Sequence, residues 1–189
     1  MGSYTAIADV GSSIIKLLRE HMTPEPIQKK DMIGLCSPVD RGDYKLGLYL
    51  YDIQENGDFR PMAMKNIGMD KQKYPPLSVT LYYMLTAYSN ADIKSKAIDE
   101  HRMMGRAMQI LYDNATLDSS KLVGTLGNNN ETVEIVLNNM KHEEKIRLWN
   151  FPNQPYRLSM FYKVAPVYIE STRIKQIKRV LDVDITLQG

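Results

Sequence analysis

Three histidines, one cysteine and scattered carboxylates are the residues of this chain with the right types for chemistry, and their spacing argues against it. His21, His101 and His142 are far apart and fall on different predicted helices. His142-Glu143-Glu144 lacks the second histidine four residues on that a zinc-protease helix requires. Asp40, Asp43 and Asp58 stand near turns without the spacing of a calcium loop. The sequence has no Gly-rich phosphate loop, Gly-x-Ser-x-Gly elbow or Cys-x-x-Cys pair, so the commonest enzyme classes find no motif. A small hydrolase would have to assemble its pocket from residues such as His101, Asp99 and Glu100. His101, however, shares a helical stripe with Ala97, Met104, Met108 and Leu111, where a satisfied, partly buried histidine is expected. Cys36 has no partner for an internal disulfide and reads as a small buried or half-buried side chain. Neither a catalytic residue, a cofactor site nor a metal site is expected.

Two other populations of residues suggest surfaces. Arg173, Lys175, Lys178 and Arg179 form the one basic cluster, suited to an acidic rim on a partner or a neighbouring copy. The net charge is only +2, and no groove-reading helix or aromatic stacking platform accompanies the cluster, so nucleic acid is not the expected partner. Tyrosine is the second population, with twelve Tyr against three Phe and one Trp. Tyr49 and Tyr51 share one face of a predicted strand, and Tyr82 and Tyr88 lie opposite the core face of another. A ring with a polar tip suits both a surface that dries in a complex and a sheet face covered by helices, and the pattern leaves these open.

The elements that must position these residues follow from periodicity. Ile7, Val10, Ile14 and Leu17 stripe a helix over about Tyr4–His21 that Pro24 and Pro26 end. Asp31–Pro38 holds a short strand. Lys45–Ile53 is a stronger one with Leu46, Leu48 and Leu50 inward, and Asn56-Gly57 predicts a hairpin returning through Arg60–Asn66. Leu77–Ser89 alternates Leu77, Val79, Leu81, Tyr83 and Leu85 against Ser78, Thr80, Tyr82, Met84 and Thr86. A helix through Glu100–Asn114, with Asn90 or Asp92 as cap, packs Met103, Met104, Ala107, Met108 and Leu111 onto that sheet. Short strands are expected at Leu122–Leu126 and Thr132–Leu137, and a helix at Lys141–Trp149. A strand then runs Tyr156–Ile169 with Tyr156, Leu158, Met160, Tyr162 and Val164 on one face. Val180–Leu187 ends the pattern, with Leu181, Val183, Ile185 and Leu187 alternating against Asp182, Asp184 and Thr186. The sum is an α+β fold, a mixed or antiparallel sheet with two to three helices packed on one face. At 189 residues, without repeat or linker, 1–189 is expected to be a single domain.

In order and spacing, three segments resemble the tail-terminator (cap) proteins of phage-tail-like contractile injection systems: LSVTLYYMLTAYS (Leu77–Ser89), EHRMMGRAMQILYDNATL (Glu100–Leu117) and LWNFPNQPYRLSMFYKVAPVYIES (Leu148–Ser171). The opening helix Tyr4–Glu20 and the strand YKLGLYLYDIQE (Tyr44–Glu55) extend the likeness over nearly the whole chain, in the manner of that family's N-terminal domain. Tyr49, Tyr51, Tyr82, Tyr83, His101, Arg102, Trp149, Tyr156, Arg157 and Tyr162 carry it; the family has no catalytic signature. Trp149 reads as a core plug beside the Pro152–Pro155 turn. The resemblance implies a non-enzymatic structural part. It would form a homohexameric ring on the baseplate-distal end of the inner tube, end tube polymerisation and anchor the last sheath layer, with tube and sheath proteins as partners. A phage neck or head–tail joining protein is the neighbouring alternative. Arg173, Lys175, Lys178, Arg179, Leu181, Val183 and Ile185 are the candidates for subunit or sheath contact, because heterologous rings need one edge to dock on a different surface of the next copy.

Ala6 stands where a myristoylation motif wants Ser or Thr, and the chain has neither a signal-peptide pattern nor an apolar stretch of membrane-spanning length. Synthesis in the cytoplasm is therefore expected, with release only as part of a larger particle, and no membrane partner.

Overall fold

The computed structural model describes residues 3–58 and 61–177. Helix α1 (Ala6–His21) opens the chain and buries Ala6, Val10, Ile14, Leu17 and Leu18 along its predicted stripe. A single 3-10 turn at Lys30–Met32 leads into β1 (Ile33–Leu35), followed by β2 (Leu46–Glu55). The short strands β3 (Lys65–Asn66) and β4 (Lys71–Lys73) precede the long β5 (Leu77–Ala87). Next come α2 (Ile93–Asp113), β6 (Thr116–Leu117), α3 (Gly124–Asn128) and β7 (Val133–Leu137). The described chain finishes with α4 (His142–Leu148), β8 (Ser159–Ile169) and β9 (Ile174–Gln176).

Six strands form one sheet in the order β1-β2-β5-β8-β7-β6, and β3-β4-β9 form a second, smaller one. The large sheet is mixed. Only β1 runs parallel to its neighbour β2, and every other pairing is antiparallel. Leu48, Leu81, Tyr83, Leu85, Ile135 and Val164 point from one face into a core closed by α1, α2 and α3. This is the α+β architecture that the alternation predicts. The opposite face holds a second cluster around Met84, Trp149 and Phe161, so α4 and its C-terminal end lie across the sheet from the other helices.

Four local expectations change. The hairpin at Asn56-Gly57 does not form: β2 pairs with β1 on one side and β5 on the other, and the Asn56 amide bonds to the Ser78 carbonyl instead. Arg60–Asn66 lacks an apolar alternation to compete for that edge, and Lys65–Asn66 pairs with β4. Around Leu122–Leu126, α3 replaces the predicted strand. Gly124 takes φ +65, and a Cβ there would strike the Asp9 carboxylate at 2.4 Å. That carboxylate accepts hydrogen bonds from the Thr125 amide (2.9 Å) and hydroxyl (2.8 Å), which starts the helix. Helix α2 begins at Ile93 with Asp92, one of the two expected caps, at its N-cap position, but its buried stripe is Met103, Met104, Ala107, Ile110 and Leu111. His101 and Ala97 are exposed. At 100° per residue, His101 lies about 120° around the helix from Ala107, the centre of that stripe, so it belongs to the solvent face. Finally, β8 starts at Ser159, leaving Tyr156 and Leu158 outside it, 40% and 53% exposed. The predicted strand Val180–Leu187, with Leu181, Val183 and Ile185, lies outside the described residues, as do Lys178 and Arg179.

Two predictions follow from this packing. Asp9→Ala removes the acceptor for Thr125 and for the Thr5 hydroxyl (3.1 Å), leaving a helix N-terminus and two hydroxyls without it. Stability should fall by about 1–3 kcal/mol, read by urea denaturation, with Asp9→Asn recovering part; an unchanged midpoint for Asp9→Ala would remove the cap from the fold's supports. Burial also pushes the Tyr88 and Tyr162 hydroxyls from 10.0 up to about 12, and Tyr83 further in the same direction. These phenols stay neutral in the native state at a pH where the unfolded chain ionises them. Their contribution is therefore intact below about pH 10 and lost as the pH climbs toward about 12. The urea midpoint should fall over that window, and Tyr162→Phe should flatten the fall; an equal slope in the variant would contradict the assignment.

Candidate assembly surfaces

Five of the ten residues carrying the resemblance, Tyr49, Tyr51, Tyr82, Trp149 and Tyr156, gather on the second face of the sheet. Tyr49 and Tyr51 reach it from β2, Met84 from β5 and Phe161 from β8, and Trp149 closes over them from the end of α4. The rings interlock edge to face. Trp149–Phe151 centroids are 5.3 Å apart at 84°, Tyr51–Phe161 5.7 Å at 80° and Tyr49–Phe151 5.8 Å at 73°. The Trp149 indole N–H donates to the Gln154 carbonyl at 3.3 Å within the Pro152–Pro155 turn, and Trp149 is buried, a plug as its position predicts. Tyr49 and Tyr51 are thus half-buried beneath Trp149 and Phe151, and Tyr82 remains half-open, donating its O–H to Gln54 at 3.2 Å. Tyr83 and Tyr162 lie in the main core and present no surface to a partner. Tyr156 stacks edge-on against Trp149 and His142 at the rim.

Arg157 anchors a polar knot at one end of β5. Its guanidinium lies 5.3 Å from the Tyr88 ring centroid and pairs with Glu100 at 3.3 Å, while Arg41 covers the same ring at 4.8 Å. Glu100 also accepts the Ser89 amide at 3.1 Å, and Ser89 donates its hydroxyl to Asp99 at 2.5 Å. Asp99 and Glu100 therefore fasten the β5–α2 loop. His101 and Arg102 are exposed on the outer side of α2, so the three residues a hydrolase would draw on do not converge. Burial pushes the Cys36 thiol up to about 11, with Arg41 only partly offsetting it, which makes it a poor nucleophile. Among the described residues, no three His, Cys, Asp or Glu side chains group as metal ligands.

Of the basic cluster, Arg173 stacks over Tyr74 at 4.1 Å and Lys175 is exposed on β9. Nearby, Lys73 bonds Glu170 and holds its carboxyl below the usual range.

Two surfaces had no single motif to announce them. Between α1 and the outer edge of β1 runs a cleft of about 420 Å³, lined by Ile15, Lys16, Arg19, Lys30, Leu35 and Tyr44 among others. Lys16 and Arg19 are legible as one polar face of α1, but Lys30 and Tyr44 join them only through the parallel β1–β2 pairing. Between the C-terminal end of α2 and β7 lies an apolar groove of about 430 Å³ bordered by Met108, Tyr112, Val136 and Leu137, where Tyr112 is 83% exposed. Among the described residues no helix is long and apolar enough to cross a membrane.

The fold has close counterparts. The sheath/tube terminator of the extracellular contractile injection system PVC, in its extended state, superposes with a TM-score of 0.68 at 18% identity, over 100% of this chain and 65% of that one. The tube-terminating cap of the anti-feeding prophage superposes with a TM-score of 0.65 at 20% identity, over 95% of this chain and 61% of that one. The chain thus spans rather less than two thirds of the length of either counterpart. No individual curated protein sequence matches it. The family model for the Pvc16 N-terminal domain matches residues 9–182, which covers α1 from Asp9 onward, both sheets and every ring of the Trp149 cluster. The chain belongs to the Pvc16 N-terminal domain family.

Proposed function

We propose that this chain is a tail terminator of a contractile injection particle, a structural part rather than an enzyme. Copies of it, six by the family's pattern, would form a ring on the baseplate-distal end of the inner tube, stop further tube rings from adding and hold the last sheath layer. The observation that carries this reading is the superposition of the chain on a sheath/tube terminator, beside the match to the Pvc16 N-terminal domain family. Its chemistry fits: Asp99 and Glu100 spend their carboxylates on Ser89 and Arg157, and Tyr49 and Tyr51 sit in packing beneath the second face of the sheet. The role is then interfacial, complementary to the tube on one side and unable to accept another tube ring on the other. The chain would be made in the cytoplasm and leave the cell only within the particle, with the tube protein, the sheath protein and its own copies as partners.

The test is the tube-length distribution in particles from producing cells with and without the gene, measured by electron microscopy. Loss of the gene should give tubes of uncontrolled length or particles that shed their sheath. Particles of normal length and intact sheath in the deletion strain would sink the reading.

A further inference from the structure

The α1–β1 cleft and the acidic segment Leu181–Leu187 are complementary in charge, and Ile177, the last described residue, lies beyond the end of the β5–β8 ladder opposite the cleft. The cleft carries Lys16, Arg19 and Lys30 against a single carboxylate, Glu20. Among the described residues none of the three cations is in an ion pair; Arg19 donates its Nε–H to the outward Ile33 carbonyl at 2.9 Å. The two walls differ. Leu35 turns toward Gly11 of α1, whereas Gly34 turns the other way, against the Tyr44 ring, where a Cβ would come within 2.3 Å. An extended chain laid beside β1 therefore offers alternate side chains to the cationic α1 wall and to the aromatic Tyr44 wall. The segment Leu181–Leu187 has that pattern, Asp182 and Asp184 alternating with Leu181, Val183 and Ile185.

Its own copy's cleft is out of reach. β1 pairs with Leu46–Leu48, which face Leu85–Ala87 of β5. The β4–β9 ladder instead extends the β5–β8 ladder past the opposite end: Leu77 pairs with Ile169, and Lys73 with Ile174 in nearly the same register. Ile177 is tied to Asp70 at the tip of that extension. The length of β5 alone separates the two ends by about 35 Å. Residues 178–181 span at most about 14 Å.

The geometry points to a head-to-tail contact in which Leu181–Leu187 of one copy lies in the α1–β1 cleft of the next, its Asp182 and Asp184 on Lys16, Arg19 and Lys30. This rests on the terminator reading and names the contact that joins successive copies of the ring. Such a contact is heterologous, one patch meeting a different one, and it closes when the rotation per copy divides a full turn. The Arg19 hydrogen bond occupies one edge carbonyl, so side-chain charge supplies more of the recognition than a backbone ladder does.

The test uses assembled particles. Zero-length carbodiimide coupling of wild-type particles should join Asp182 or Asp184 to Lys16 or Lys30, in products running at multiples of the chain mass. Asp182→Lys with Asp184→Lys, or Lys16→Glu with Arg19→Glu, should each lower the fraction of capped tube ends several-fold. Combining all four should restore it, with circular dichroism confirming that each variant folds. Wild-type coupling at the mass of one chain, no coupling of these residues in particles that carry the chain, or reversal variants that cap normally would each overturn the contact alone. Particles that lack the chain altogether would sink the terminator reading, and the contact with it.

Discussion

The burial of β5 on both faces is the constraint from which the rest of the structure follows. Leu81, Tyr83 and Leu85 point into the main core, while Met84 and Thr86 are equally buried on the other side. An antiparallel strand with one wet face needs helices on one side only. A strand wet on neither needs a second layer, and α4 with the Trp149–Phe161 cluster supplies it. Thr86, buried in that second layer, meets its polar requirement by sharing a 2.8 Å hydrogen bond with Ser159 across the β5–β8 ladder. With both faces occupied along its inner half, the sheet keeps its free surface at its edges, at its two ends and on the uncovered half of its second face around Tyr82, Val136 and Lys163.

The two ends differ, and the difference has a local cause. At the Ala87 end, the polar knot of Arg157, Glu100, Ser89 and Asp99 ties β5 into α2, and Arg41 and Arg157 both lie over the Tyr88 ring. At the Leu77 end, Pro75-Pro76 interrupts the ladder, after which β4 and β9 resume it as a narrow ribbon with few buried side chains. One end is locked to the helical layer and the other projects from it. A part with unlike ends is suited to an assembly in which each copy meets its neighbours through different surfaces.

What the sequence made legible was whatever the local period could decide. β5, β8, α1 and α2 each carry a stripe long enough to set element type and inward face, and the alternation in Leu46–Leu50 finds its side of the sheet. The errors share a cause, which is that the deciding partner lies far away in sequence. α3 exists because Asp9 reaches the Thr125 amide across 116 residues. The hairpin at Asn56-Gly57 loses to β5, since a two-residue turn signal is weak against a ladder that runs the length of β2. His101 read as core because four apolar residues share its spacing, yet the stripe that packs is centred on Ala107 and leaves Met108 at its margin. The candidate surfaces divide in the same way: the Trp149 plug follows from one tryptophan beside a proline turn, while the α1–β1 cleft needs a parallel pairing that no local pattern announces.

The same logic explains why tyrosine abundance was ambiguous. A phenol is accommodated wherever its ring is covered and its hydroxyl finds either a partner or the rim. Tyr51 meets that condition inside one chain, its hydroxyl set between Met140 and Asn138 at 3.7 and 3.5 Å. Tyr112 does not, since its ring projects from the end of α2 beside an apolar groove. A count of twelve cannot separate these cases; coverage by another element can. Tyrosines that the fold already covers serve the monomer, and those it leaves out beside apolar side chains are the ones an assembly has left to cover. On that criterion Tyr112, 83% exposed, is better placed to meet a partner than Tyr83 or Tyr162, whose burial has already been spent on the core.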